Sequence, residues 1–440
     1  MENTEFKGFW WLPNTHEKKV AGILKYNQHQ QIQLELIGTI QDEESIVDLF
    51  QNDRKVAVIF GIDENAKPIT LLQCFGYASF NFSSEFPIQK FICQYALVGI
   101  HLAGMDTPRF SKAIVEIPNL SNWCRPTLIS TTLSHSDNGP QKIDKLTIEM
   151  SLVPIVRQSV NIDSNTKITL SESSIYSGED LNPQVSQHTT LHIEKMNSAS
   201  LNEILKNISL FEQFLSIAIL EECHANKIIL NTLDLFQEIS ENRKLYHSIE
   251  VLRREQFINE QLRTDKHQFL FDYTIIKEKY PEIIRKWYQE SDIIGPIRSY
   301  LIENLKYKSS FVCINFTLII HAIEGFWNRF RDKEYKVRNH LDKSKNIKLN
   351  TIITELLSEF SSIKQVAQFT LSADAVVDSR NYYAHFVFRE QKRKSLDGLE
   401  LLTITDELRI LLICCILNFM GFDNSKINEI ISSCHNSMFN

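Results

Sequence analysis

The spacing of apolar residues changes once along this chain, and that change limits its fold more than any other feature. Before about residue 195 apolar residues alternate, as at Ile32, Leu34 and Leu36 and again at Leu146, Ile148, Met150 and Leu152, which is the period of two that lets a strand bury one face. From about Ser198 the interval lengthens. Leu201, Ile204, Leu205, Ile208, Phe211, Leu215 and Ala218 make a stripe of helical period, and Ser200 with Glu203 has the spacing of a capping box at its start. Strands first and helices afterwards predict an α+β multidomain chain, β-rich at the N-terminus and all-α at the C-terminus. His135–Pro140 and Tyr176–Asp180 read as loops by their Asn, Asp, Gly and Pro chemistry, and short strands at this spacing suggest a sandwich or a barrel-like fold.

A chain of 440 residues exceeds one ordinary core and predicts two or three domains. We place a β-rich domain at 1–195, a mixed, mainly helical connector at 196–296 with a short strand at Ile228–Leu230, and a helical bundle at 297–440. Pro281 and Gly295-Pro296 punctuate the approach to the bundle. Its helices are expected at about 297–332, 347–366, 372–388, 403–421 and 425–434. Phe311, Ile314, Leu318, Ile319 and Ile323 form one apolar face, and Leu408, Leu411, Leu412, Cys415 and Phe419 form another.

Within the third of these helices, Arg380-Asn381-Tyr382-Tyr383-Ala384-His385 sets a permanent cation close to a group that exchanges protons near neutrality. Attack of a ribose 2′-OH on its adjacent phosphate needs both. Histidine, with an unperturbed pKa of ~6.5, moves the proton, and an arginine fork stabilises the crowded anionic phosphorane. On a helix Arg380 and His385 point about 140° apart, so Arg380 must reach round, or lie at a helix end or kink. Other chemistries lack their motifs: no phosphate-binding glycine loop, no G-x-S-x-G elbow and no H-E-x-x-H helix is present. Eight cysteines occur without a C-x-x-C pair or zinc-ligand spacing, so no metal, cofactor or disulfide framework is indicated. A reducing cytoplasm fits that usage and the acidic start at Glu2 and Glu5, and the apolar run Leu408–Phe422 is too short to span a bilayer.

Asp378-Ser379-Arg380-Asn381-Tyr382-Tyr383-Ala384-His385 resembles the R-N-x-x-x-H signature of HEPN domains, the helical family of RNA-cleaving toxins and defence nucleases. Phe6–Pro13 (FKGFWWLP) and Val20–Tyr26 (VAGILKY) resemble the N-terminal domain of the ApeA (abortive phage evasion) family. Further matches run through Ile69–Cys74, Ala96–His101 and Asn119–Trp123. The resemblance implies a metal-independent endoribonuclease in abortive phage defence. It would cut cellular RNA, with tRNA foremost, and leave a 2′,3′-cyclic phosphate. It also implies a homodimer through the bundle and a phage-derived trigger that the sheet domain senses or answers by releasing the toxin. In that scheme His385 transfers protons, Arg380 clamps the phosphate and Asn381 positions His385 or the backbone, with Tyr382 and Tyr383 lining the cleft.

Thr317, His321, Glu324, Asn328 and Arg331 make one polar stripe on an otherwise apolar helix, and Glu324 is a candidate to orient Arg380 or His385. A solvent-facing edge explains the stripe equally well. The formal net charge is −7, so an RNA must be held by local basic patches. Residues 329–348 carry eight basic against three acidic side chains, and 389–394 four against one. Arg331, Lys333, Arg389, Lys392, Arg393 and Lys394 are the candidates for phosphate contact. Trp10, Trp11, His101, His321 and the Cys414-Cys415 pair are expected to be structural. Two other readings compete with the enzyme: a non-catalytic scaffold that binds a partner protein or nucleic acid, and a chain whose active part is the sheet domain.

Overall fold

The computed structural model describes residues 4–27, 31–40, 54–79, 88–135, 143–178, 182–240, 243–253, 269–306 and 311–438. Six strands close into a barrel: β1 (Thr4–Trp11), β2 (Val20–Tyr26), β3 (Ile32–Ile37), β4 (Arg54–Asp63), β5 (Pro68–Ser79) and β6 (Ile88–Val98). The order runs β6-β3-β2-β1-β4-β5, and β5 pairs back onto β6. The alternation at Ile32, Leu34 and Leu36 places all three inside, fully buried with Leu24, Leu71 and Phe91. The Trp10 indole also fills the interior, and it can do so because Gly61 stands opposite it. A Cβ at Gly61 would lie 2.3 Å from the Trp10 ring.

The six-residue β3 covers only the first half of the eleven-residue β6, as far as Cys93. The second half, from Tyr95 to Val98, pairs with β16 (Ile249–Arg253), so the sheet leaves the barrel there. It continues through β13 (Lys227–Thr232), β7 (Phe110–Glu116), β12 (Gln184–Ala199) and β11 (Thr166–Ser177) to β10 (Ile155–Asn161). The hairpin β8 (Ile129–His135) and β9 (Ile143–Met150) stands outside this sheet and leaves Leu146 and Ile148 exposed, although their alternation predicts a buried face. Of the loops expected at His135–Pro140 and Tyr176–Asp180, residues 136–140 and 179–180 lie outside the described residues, while His135 ends β8 and Tyr176 and Ser177 end β11. The short strand expected at Ile228–Leu230 is β13, but the stretch after it, expected to be mainly helical, carries the hairpin β14 (Phe236–Ser240) and β15 (Arg243–Tyr246) and then β16, with β13 and β16 joining the large sheet. Its short strands gain backbone partners far away in sequence, which local periodicity cannot reveal.

The chain divides into two compact units. The first holds Met1–Pro118, Pro126–Ser209 and His224–Leu262; the second holds Asn119–Arg125, Leu210–Cys223 and Arg263–Asn440. This is a division by contact, whereas the sequence boundary at about 195 follows the change of period and that at about 297 follows Pro281 and Gly295-Pro296. Helix α2 (Leu201–Ile219) starts where its stripe predicts. Ser200 Oγ accepts the Glu203 N–H at 3.2 Å, while the Glu203 carboxylate turns to Lys195, so half of the capping box forms.

In the second unit, α1 (Leu120–Cys124) and the second half of α2 join α3 (Tyr273–Ile276) and α4 (Tyr280–Gln289) in an aromatic core of Trp123, Phe214, Tyr273, Tyr280 and Trp287. The indole N–H of Trp123 donates to the Phe271 carbonyl at 2.9 Å, and that of Trp287 to the Leu210 carbonyl at 2.8 Å. The helix expected at 297–332 is two helices, α5 (Ser291–Lys306) and α6 (Val312–Phe330). Pro296 lies inside α5 instead of preceding it. It cannot donate to the Asp292 carbonyl, which receives Arg329 Nη1 at 3.5 Å; the same guanidinium nitrogen reaches the Ile293 carbonyl. Phe316, Ile319, Ile320, Ile323 and Phe326 form the buried face of α6, whereas Phe311 and Ile314 are 78% and 51% exposed at its start. After α7 (Asp332–Arg338), α8 (Leu349–Glu359) and α9 (Lys364–Ala367) come α10 (Ala373–His385), α11 (Gly398–Phe419) and α12 (Asn424–Met438). The apolar face Leu408, Leu411, Leu412, Cys415 and Phe419 of α11 is buried, and α6 packs against α5, α10 and α11.

Candidate active site

His385 is the last residue of α10, and the helix stops because Phe386 turns left-handed at φ 55°. The Asn381 carbonyl then accepts the N–H groups of Phe386 and, at 3.2 Å, of Val387. Asn381 therefore closes the helix end through its backbone, and its side chain makes no hydrogen bond among the described residues. The end of the helix resolves the angular problem of the motif. Arg380, half-buried, reaches round so that Nη1 contacts Nε2 of exposed His385, while Nη2 lies 3.2 and 3.3 Å from the two oxygens of Glu324 on α6. A guanidinium only donates, so in this contact Nε2 is placed as the acceptor. Arg380 Nε is buried without a partner among the described residues.

The polar stripe of α6 divides between several partners. Thr317 bonds back to the Cys313 carbonyl at 2.7 Å, His321 and Asn328 are exposed, and only Glu324 meets the motif. Arg331 instead grips both oxygens of Glu359 at 2.7 to 3.2 Å and Asn418 Oδ1 at 2.6 Å. Burial works against its charge, but the hydrogen bonds and charge of Glu359 outweigh that and raise its pKa.

The basic segment after the motif folds back along α10. Lys392 pairs with Asp378 at 3.5 Å, Lys394 with Asp374 at 2.7 Å and Arg389 with Asp397 at 2.6 Å, and the Arg389 guanidinium also covers the Tyr382 ring. Lys333 and Arg393 are exposed and make no ion pair among the described residues. Backbone contacts reinforce the fold-back. Ser379 Oγ accepts the Leu396 N–H at 3.0 Å, Asp378 accepts the Lys394 N–H at 3.3 Å, and the Tyr383 hydroxyl donates to the Leu396 carbonyl at 3.0 Å. Burial raises the Tyr383 pKa, so its hydroxyl stays a donor. Asp378, Ser379 and the exposed Phe386 were not among the candidates from sequence. Their one local signal is a buried serine in the middle of a helix, which asks for a partner elsewhere.

Among the described residues no group of three His, Cys, Asp or Glu converges on a metal-sized site, and no helix is long and apolar enough to cross a membrane. Compared with known proteins, the chain matches no curated protein and no solved structure. Compared with known families, residues 5–287 match ApeA N-terminal domain 1 and residues 317–426 match Apea-like HEPN. The first match holds the barrel and its sheet, the second holds Glu324, Arg380 and His385, and together they assign the chain to the ApeA family of HEPN-type defence proteins.

Proposed function

We propose that this protein is a metal-independent endoribonuclease that cuts cellular RNA, tRNA foremost, to abort phage infection. The observation that carries the reading is one guanidinium held by Glu324 and aimed at the imidazole of an exposed histidine at a helix end. A scissile phosphate would displace His385 from Arg380 Nη1. The same step would free the Nε2 lone pair to take the 2′-OH proton and leave the guanidinium facing the developing phosphorane. The 2′-oxygen bonds to phosphorus as the bond to the 5′-oxygen breaks; the products are a 2′,3′-cyclic phosphate and a 5′-OH whose proton comes from water, while His385 returns the 2′-OH proton to solvent. The cations at 389–394 add a local positive field, reduced by their carboxylate partners.

A homodimer would bring two such sites together. Phe311, Ile314, Phe386, Phe388, Leu399 and Leu402 are exposed around the start of α6, the end of α10 and the start of α11. The Phe316–Tyr383 ring contact at 6.4 Å and the Tyr383–Leu396 hydrogen bond hold these three regions near one another, and exposed apolar side chains are what association covers. The barrel unit would sense infection, and the active protein would work in the cytoplasm.

Total tRNA incubated with wild type and His385→Ala in excess EDTA, with ends mapped, tests the reading. Cleavage by wild type alone with cyclic-phosphate ends is expected. Equal cleavage by both proteins would assign the activity elsewhere. No cleavage by either protein, in phage-infected extract as well, would leave the scaffold reading, in which the same ion pairs serve packing.

A further inference from the structure

Four polar residues share one face of α10. Asp374, Asp378, Asn381 and His385 follow at intervals of four, three and four, which at ~100° per residue keeps them within about 60° of one another. This stripe leads along the helix to the candidate proton-transfer group, and the chain after His385 folds back along it. Lys392 pairs with Asp378 at 3.5 Å and Lys394 with Asp374 at 2.7 Å, while Arg393 between them is exposed and makes no ion pair among the described residues. Two carboxylates therefore hold the ammonium groups that an RNA strand reaching His385 along this segment would meet. Side chains four apart on a helix stand about 5–6 Å apart at Cβ, a spacing like that of successive phosphates along a strand.

These charges are not what docks the segment. Ser379 Oγ accepts the Leu396 N–H and the Tyr383 hydroxyl donates to the Leu396 carbonyl, each at 3.0 Å, and both bonds are neutral. Asp378 also accepts the Lys394 N–H at 3.3 Å, which the carbonyl oxygen of an asparagine would do as well. The ion pairs are also easy to exchange. The Lys394 and Asp374 side chains are 60% and 54% exposed, and Lys392 lies at a loose 3.5 Å from Asp378, so a phosphate can replace either carboxylate at little cost. When Lys394 leaves, Asp374 keeps the Asn350 amide at 2.6 Å. We propose that Asp374 and Asp378 stand in for two successive phosphates of the substrate strand. The strand docks on the fold-back by taking Lys394 and Lys392 from them, and the two carboxylates hold down the affinity of the resting site. The inference rests on RNA being the substrate.

The probe is a fluorescent single-stranded 2′-O-methyl RNA of about 12 nucleotides, which offers no 2′-OH to attack. Its binding to full-length protein is followed by anisotropy from about 50 to about 200 mM salt, with each variant checked for an unchanged thermal midpoint. Asp374→Asn with Asp378→Asn is expected to bind about fivefold tighter than wild type at the lowest salt. The slope of log affinity against log salt should steepen by about 1.4, because each phosphate–lysine contact then releases counterions without freeing a carboxylate to gather them. Asp374→Asn alone, at an exposed carboxylate, should gain about twofold with a steepening of about 0.7, and decides the matter should Asp378→Asn lower the thermal midpoint. Adding Lys392→Ala and Lys394→Ala to the double variant should remove both gains. Glu278→Gln with Glu282→Gln, which removes two exposed charges around the start of α4, should change affinity less than about twofold. No binding of the probe, a double variant that binds as wild type does, a gain matched by the α4 control, or a gain that persists without the two lysines overturns the proposal. Because the probe cannot be cut, a silent tRNA assay would sink the nuclease reading alone. Cleavage of tRNA by a protein whose aspartate variants bind the probe no better than wild type would sink the phosphate stand-ins alone.

Discussion

Arg380 has three demands on one side chain, an ion pair with Glu324, a contact with His385 and, in the proposed reaction, the phosphate. Only a planar fork meets all three, so charge alone should not suffice. Arg380→Lys is expected to lose about 10²-fold or more in turnover on tRNA while unfolding at the same urea concentration as wild type. Glu324→Gln keeps the shape and removes the counter-charge that orients the fork, and a loss of about 10- to 100-fold is expected, seen mainly in kcat. Retention of full activity by either variant would mean that the Arg380–Glu324 pair serves packing. The motif itself does not contain the ion pair, because Glu324 lies 56 residues away from Arg380; the polar stripe offered Glu324 as a partner for Arg380 or His385, with a solvent-facing edge as the equal alternative. What the motif did contain was the pair Arg380 and His385, whose proximity depends only on five residues and a helix end.

At the scale of elements, α10 ends on a residue poorly suited to ending it. A non-glycine side chain in the left-handed region costs about 1 kcal/mol, and Phe386 is 86% exposed, so the ring gains little from packing within the chain. Phe386→Gly should therefore raise the urea midpoint of the isolated chain, by up to about 1 kcal/mol of stability, while weakening self-association in sedimentation velocity. A variant that is less stable, or one that associates as wild type does, would detach this residue from the dimer patch. The barrel unit has its own pH-sensitive element. His192 on β12 stands between Ile114 of β7 and Thr169 of β11, and burial followed by the charge of Lys112 lowers its pKa to about 4, with Glu194 opposing. The folded state thus keeps the ring neutral where the unfolded chain takes up a proton. Its contribution to stability is complete above about pH 6.5 and is lost as pH falls toward 4, amounting to about 1–2 kcal/mol after allowance for partial exposure. Urea midpoints of wild type should drop between about pH 7.5 and about pH 5, and those of His192→Gln should drop less.

For the whole molecule, the second compact unit includes two pieces of chain that precede it. Asn119–Arg125 brings Trp123, fully buried against Phe214, Tyr273 and Tyr280, and Leu210–Cys223 brings Phe211 and Phe214. A fragment beginning at residue 263 keeps every candidate catalytic residue but loses these side chains, and each buried aromatic removed costs about 3–5 kcal/mol. Such a fragment should be largely unfolded by near-ultraviolet circular dichroism; a cooperative thermal transition would show that the C-terminal helices suffice. The sequence by itself determined the strands of the first part, the main helices of the second and the adjacency of Arg380 to His385, because period, caps and turns act within a few residues. Only the tertiary structure decided that β5 closes onto β6, that β13 and β16 join the sheet, that Glu324 holds Arg380 while Arg331 turns to Glu359, and that Trp123 belongs with the helices. Each of these joins groups far apart in the chain, through backbone hydrogen bonds or ion pairs whose partners no local pattern specifies.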